Sequence, residues 1–174
     1  MATATNHIYV PTLKTGAGLK YPVVMKAPYD YTEYIIQFEV KDATEIAMGD
    51  LAAVVLDTTL KIDATGASSA VCTVIVLDSP RNKALLEAAG TTVSKAAQFA
   101  AGDKVDCLLL IPGFILSVKG AGVDISFGNK LITTNTNDGE VTPGVTAGAV
   151  VGYALTDKDW TDVATVEYIA MMVI

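Results

Sequence analysis

Short runs of β-branched and aromatic residues, each ended by a turn-forming residue, are the feature that most limits the fold of this chain. In 34–40, apolar side chains alternate with Gln37 and Glu39, as in a strand with one buried face. Similar runs cover 51–57, 71–77, 105–111, 114–118, 123–127, 149–155 and 163–174. They predict a mainly β chain whose body is a small β-barrel or β-sandwich.

The last of these runs ends the sequence. Thr165 and Glu167 are predicted on one face of it, opposite Ala164, Val166, Tyr168, Ala170, Met172 and Ile174. Four consecutive apolar residues at 171–174 predict burial on both faces, which requires a central strand or a covering interface.

A helical insert is predicted at 79–101. Ser79 and Pro80 suit the first positions of a helix, and Gly90 suits its end. A second helical stretch is predicted before Gly102, from apolar residues at helical spacing: Val93, Ala96, Ala97 and Ala100.

Residues 1–28 are predicted to form an extended N-terminal arm ahead of a single β-rich domain, 29–174. The segment has three lysines and no acidic residue, whereas the whole chain has a net charge of −7. Its prolines and glycines disfavour a helix and favour an extended backbone. We expect contacts with partners to order this arm.

The arm and the residues after it supply the candidate interface. Tyrosine is large, rigid and amphipathic, which suits an interface anchor, and lysines suit acidic patches on a partner. Stacking of the tyrosines on a sugar or a base is the alternative. The candidate interface residues are Lys14, Lys20, Tyr21, Lys26, Tyr29 and Tyr31.

Nucleophilic and metal-assisted catalysis have little support in the sequence. The single histidine, His7, lies in the predicted arm, far from any strand that could hold it beside a nucleophile. Cys72 and Cys107 each lie in an apolar run, which favours buried thiols over a disulfide. Neither zinc-ligand spacing nor a calcium loop is present, so we predict no metal, no cofactor and no catalytic residue.

Carboxylates at strand ends are the remaining catalytic candidates. Asp50, Asp57, Asp63 and Asp78 follow or precede predicted strands, where aspartate usually forms turns. A carboxylate pair of the glycosidase type is the alternative. The sequence therefore predicts a protein that is not an enzyme.

Nucleic acid and membranes are not expected partners. The negative net charge and the single arginine, Arg81, do not suit a phosphate backbone. Apolar runs are broken within about ten residues, short of the roughly 20 that span a bilayer. The first residues lack the basic and apolar regions of a secretory signal, so synthesis and use inside a cell are expected.

The C-terminal half resembles bacteriophage capsid decoration proteins, also called cement or head-stabilising proteins. The resemblance covers 101–174 and rests on three segments: Ala-Gly-Asp-Lys-Val at 101–105, Gly-Asn-Lys-Leu at 128–131 and Val-Val-Gly-Tyr-Ala-Leu at 150–155. It implies a homotrimer or homodimer on the exterior of a phage capsid, made in the host cytoplasm. It also implies that loops and an N-terminal arm bind the major capsid protein and stabilise the shell.

A receptor- or glycan-binding β module of a phage fibre or tail is the alternative function. In that case the Thr/Asn/Gly-rich segment 133–139 and the tyrosines would contact a sugar.

Overall fold

The computed structural model describes residues 23–27, 30–41, 46–56, 59–64, 74–94, 96–133, 139–144, 150–158 and 167–174. Within these ranges the elements are β1 Val24–Lys26, β2 Ile35–Val40, β3 Leu51–Leu56, β4 Leu60–Ala64, β5 Val74–Val76, α1 Pro80–Ala88, β6 Lys104–Leu109, β7 Ile115–Gly120, β8 Lys130–Thr133, β9 Val141–Pro143, β10 Val150–Ala154 and β11 Glu167–Val173. A single 3-10 turn, Thr32–Tyr34, precedes β2. The predicted mainly β fold is confirmed.

The first barrel is closed, in the order β2-β4-β3-β5-β6. Its neighbouring strands are antiparallel except for β2 and β4, which run parallel. The alternation predicted at 34–40 is confirmed, because Phe38 and Val40 are buried in the interior cluster while Gln37 is exposed. Closure pairs every strand of this barrel on both edges.

A second ring of strands follows the order β7-β11-β10-β8-β9 and closes through one bridge, Gly120 to Val141. Strand β1 pairs with β7 beside this bridge. The strands of this ring bury an apolar cluster, in which the fully buried residues include Leu116, Val118 and Met171. The β body therefore consists of two five-stranded barrels, where the sequence predicted one barrel or sandwich.

One of the two apolar clusters contains residues of both barrels. Along β3, β5 and β6, alternate residues belong to different clusters: Val74 lies in the first barrel's cluster, whereas Leu51, Ile75 and Leu108 lie with the residues of the second barrel. Strand β5 is thus buried on both faces, which explains why its sequence is continuously apolar.

A tight glycine contact also joins the barrels. The Gly139 carbonyl accepts a hydrogen bond from the Leu51 amide at 3.1 Å. Gly139 has a φ of 64°, and a Cβ there would lie 2.5 Å from the Cβ of Asp50. Glycine adopts a positive φ without steric cost, which allows this close approach.

The first predicted helix is confirmed as α1. The Ser79 side chain accepts a hydrogen bond from the Asn82 amide at 3.1 Å, Pro80 occupies the first turn, and Gly90 follows the helix with a φ of 73°. Within the described residues no helix has the length and hydropathy needed to cross a bilayer.

The second predicted helix is wrong. Residues 91–94 and 96–102 form turns and a single bridge, Ala47 to Gln98. The Phe99 amide donates to the Ile46 carbonyl and the Gly102 amide donates to the Val40 carbonyl, each at 2.8 Å. These long-range hydrogen bonds replace the local ones that a helix needs.

Seven predicted strands are confirmed and one is wrong. The confirmed ones are 34–40, 51–57, 71–77, 105–111, 114–118, 149–155 and 163–174, all with shifted ends. In 123–127 only Ile125 pairs, through an isolated bridge to Lys158, because the amides of Ser126 and Phe127 donate to the side chains of Asn129 and Asp157 instead.

The chain end lies in a central strand, between β7 and β10, as one of its two predicted explanations requires, but the chain itself buries only one face of that strand. Met171 and Val173 are buried, but Met172 is 36% exposed and Ile174 is 49% exposed. One face of β11 lines the second barrel. The other face is open to solvent near the C-terminal end of the strand. Residues 164 and 166 of the predicted face lie outside the described ranges.

The end of the predicted arm is part of the body. Val23 is fully buried, its carbonyl accepts from the Ser117 amide at 2.8 Å, and its amide donates to Asp78 Oδ1 at 3.3 Å. Contacts within the chain therefore hold residues 23–26. Residues 1–22 and Pro28 of the predicted arm lie outside the described residues.

Asn82 joins α1 to β6. Its Nδ2 donates to the Leu77 carbonyl at 2.7 Å and to the Asp106 carbonyl at 3.0 Å, and its Oδ1 accepts from the Asp106 amide at 2.8 Å. Its side chain is fully buried, so no water can replace these partners.

We expect Asn82→Ala to lower the free energy of unfolding by about 2–3 kcal/mol, because it leaves buried backbone groups without hydrogen-bond partners. Glu87→Ala, on the exposed side of the same helix, should change it by less than about 0.5 kcal/mol. Urea denaturation of both variants checks this, and equal losses would contradict the role given to Asn82.

Candidate interaction surface

Five side chains form a line across the solvent-facing side of the second barrel's sheet. Lys26 pairs with Ile115, Ile115 with Met172, Met172 with Tyr153, and Tyr153 with Lys130. Directly paired residues project to the same face of a sheet. We call this line the outer row. Four inter-strand steps of about 4.8 Å give it a length of about 19 Å, measured along the curved surface of the barrel.

The outer row is apolar in the middle and cationic at both ends. Lys26 and Lys130 are exposed, Met172 is 36% exposed, and Ile115 and Tyr153 are half-buried. Tyrosine and methionine are enriched in protein interfaces, where an apolar centre is surrounded by a polar rim. The composition of the row matches that arrangement.

The two lysines of the row differ from most other cations of the described chain. Ion pairs join Lys41 to Asp63 at 3.1 Å, Lys61 to Glu39 at 3.7 Å, Lys83 to Asp78 at 4.0 Å, Lys119 to Glu140 at 3.6 Å and Arg81 to Asp106 at 3.9 Å. Neither Lys26 nor Lys130 forms an ion pair with another residue that the structure describes. Their charges are therefore available to a partner.

Exposed apolar side chains are concentrated on the part of the chain that builds the second barrel. Among the described residues the large ones are Leu60, Val123, Phe127, Met172 and Ile174. Only Leu60 belongs to a strand of the first barrel. Of these residues, Met172 belongs to the outer row.

Gly152 lets β10 approach β11 closely enough to hold Tyr153 opposite Met172. A Cβ on Gly152 would lie 2.4 Å from the Met172 carbonyl oxygen and 2.6 Å from Cγ of Met171. No side chain larger than hydrogen fits without moving β11. Gly152 belongs to the 150–155 segment on which the resemblance to decoration proteins rests.

The strand-end carboxylates serve the local structure. Asp50 is 2% exposed and its Oδ2 accepts from the Ala47 amide at 2.8 Å. Asp63 pairs with Lys41, and Asp78 pairs with Lys83 and accepts from Val23. Asp57 lies outside the described residues. In the described ranges no group of His, Cys, Asp and Glu side chains could hold a metal ion.

Two buried acidic groups keep their protons in the folded chain. Burial raises the pKa of the Cys107 thiol above its usual range, with a smaller effect from Asp106, so this cysteine is a poor nucleophile. Burial also raises the pKa of Tyr168 above its usual range, and the nearby charges of Asp50 and Glu140 add to this effect. Cys107 is a free, buried thiol as predicted; Cys72 lies outside the described residues.

The predicted interface residues fall into three groups. Lys26 forms one end of the outer row. The Tyr31 ring packs edge-on against Phe114, with centroids 6.2 Å apart and an interplanar angle of 78°, so its ring contacts the chain's own core. The predicted residues outside the described ranges are Lys14, Lys20, Tyr21 and Tyr29.

The other four members of the row were missed by sequence reasoning. Ile115 and Met172 are 57 positions apart in the chain yet lie side by side, and no local pattern in the sequence encodes that register. The only signal was the pair of turn-bounded runs that become β7 and β11.

The chain is similar to known proteins in structure rather than in sequence. No protein family model matches the chain, and no curated protein matches it in sequence. The structure is similar to that of the head fiber gp8.5 N base in bacteriophage phi29, with 18% identity and a TM-score of 0.49, over 80% of this chain and 94% of that chain. At these values the likeness carries no argument about function.

Gly152→Ala should lower the free energy of unfolding by about 1–3 kcal/mol, since the added methyl must push β11 away from β10. Gly90→Asn is the matched control, because Gly90 has open space around it and Asn tolerates its positive φ. Thermal unfolding of both variants measures the difference. A loss in Gly152→Ala no larger than in the control would contradict the close approach.

Stability should fall at alkaline pH. The folded chain holds the protons of Cys107 and Tyr168, whereas the unfolded chain releases them from about pH 9 and pH 10, respectively. The unfolded state then binds fewer protons, so the contribution of these two groups to the free energy of unfolding is constant below about pH 8 and decreases as the pH rises above about pH 9.

Tyr168→Phe removes one of these two titrating groups. Above about pH 10, the free energy of unfolding of this variant should therefore decrease less steeply with pH than that of the wild type. Urea denaturation at a series of pH values measures the slopes. Parallel curves for the two proteins would rule out a contribution from Tyr168.

Proposed function

We propose that this chain is a non-catalytic structural protein of a bacteriophage particle. In this proposal it decorates the exterior of the capsid and stabilises it by binding the major capsid protein. The observation that carries the proposal is the outer row, a partly exposed apolar line with cations available at both ends. The resemblance of 101–174 to capsid decoration proteins supports it independently.

The double barrel is suited to such a role. A shell can be stabilised by a rigid body that contacts more than one subunit, because a deformation of the shell then has to break those contacts. The shared core, with Leu51, Ile75 and Leu108 contributed by the first barrel, resists movement of one barrel against the other. Each contact can be modest, since many copies act on one closed shell.

The N-terminal segment supplies a second contact in this proposal. Lys14 and Lys20 lie in a stretch without acidic residues, and they would meet acidic patches on the shell in the same way as Lys26. Assembly of the chain as a homotrimer or homodimer would multiply both contacts.

Binding to heads tests the proposal. Purified protein is added to heads of the encoding phage that were assembled without it, and bound protein is measured by co-sedimentation. We expect saturable binding, and heads that resist heating or chelators better when decorated. Deletion of residues 1–20, which leaves β1 intact, should weaken binding without changing the circular dichroism spectrum.

Three outcomes would contradict the proposal. Protein that binds no heads but gives hits on a glycan array would favour the fibre or tail module. Head binding that is unchanged by the deletion would remove the role of the arm. A hydrolytic activity that is lost on substitution of Asp50 or Asp63 would favour an enzyme.

A further inference from the structure

We infer that the outer row binds an acidic surface of the partner, one that places an apolar side chain between two carboxylates that meet the lysine ends of the row. This inference rests on the proposed function and identifies the chemistry of the site on the capsid subunit. It assigns the centre of the contact to Ile115, Met172 and Tyr153, and the charged rim to Lys26 and Lys130.

Charge complementarity is the first argument. The chain has a net charge of −7, yet both ends of its exposed apolar row carry a cation without an ion pair to any described residue. An exposed lysine is solvated in the free protein and lowers its stability little. In a complex its interaction energy with a partner carboxylate is largest where the rim of the contact is partly desolvated. The matching partner surface is therefore acidic.

The same charges argue against a second copy of the row as the occupant. A two-fold contact places the same patch on both sides. Around a two-fold axis through Met172 that runs along the row or at right angles to it, the lysine ends of one row would face the lysine ends of the other. Like charges brought together in this way oppose association.

Protection of a sheet edge does not explain both lysines. Lysine on an edge strand prevents unwanted strand pairing, and Lys26 lies in β1, at the edge of its sheet. Lys130 lies in β8, which pairs with β10 on one side and β9 on the other. Binding of a partner accounts for a lysine at each end.

The experiment reverses charges one at a time in the full-length protein. Lys26→Glu and Lys130→Glu change the ends of the row. Lys104→Glu is the matched control, because Lys104 is also exposed, lies on the first barrel and has no ion pair to a described residue. Circular dichroism and thermal melting establish that each variant folds.

Affinity for heads lacking the protein is measured by co-sedimentation at several NaCl concentrations. We expect each reversal in the row to weaken binding about tenfold at low salt, and the Lys104 variant to bind like the wild type. The wild-type affinity should fall as NaCl rises, and less steeply in the two row variants.

Met172 provides a test of the sign of the partner's charge. Its side chain is partly exposed, so Met172→Glu and Met172→Lys should both fold. An acidic partner predicts that the Glu variant binds at least about tenfold more weakly than the Lys variant. Equal losses would show that the contact is apolar only, which would overturn the inference of an acidic partner.

The outcomes separate this inference from the proposed function. Wild-type binding that Lys26→Glu and Lys130→Glu both retain would overturn the inference and leave the proposed function standing. Absence of wild-type binding would overturn both. Reversals that change only the oligomeric state, measured by light scattering, would make a second copy the occupant and also overturn the inference.

Discussion

The apolar layer between the two barrels is the constraint on which the rest of the structure depends. Residues such as Leu51, Ile75 and Leu108 leave the interior of the first barrel and pack with residues of the second. A five-stranded barrel encloses little volume, so a large share of the apolar burial comes from this shared layer. The positions of β7, β10 and β11, and with them the outer row, follow from it.

Glycine and buried polar groups fix the geometry around this layer. Gly139 lets the chain of the second barrel pass against Asp50 of the first, and Gly152 lets β10 lie against β11. Asn82 satisfies three backbone groups at once and holds α1 on β6. Hydrophobic burial alone would allow several registers, and these contacts select one of them.

The sequence predicted the elements that depend on interactions between neighbouring residues. The alternation at 34–40 and the capped helix at Ser79 need only neighbouring residues, and both are present. The segment before Gly102 has a helical pattern of small residues, but its backbone bonds to Ile46 and Val40 instead. Strands of three residues, such as β1 and β9, have almost no sequence signature because their pairing partners stabilise them. The outer row depends on register between distant strands, so of its five members only Lys26 was predicted, through its place in the basic arm.

The attachment of Val23 has a mechanical consequence. Its amide is bonded to Asp78, just before α1, and its carbonyl to Ser117 of the second barrel. A pull on the residues that precede it would therefore load both halves of the molecule at once, without an intervening hinge. Force arriving through the N-terminal end would be spread over hydrogen bonds beside Lys26, where the proposed contact with the shell begins.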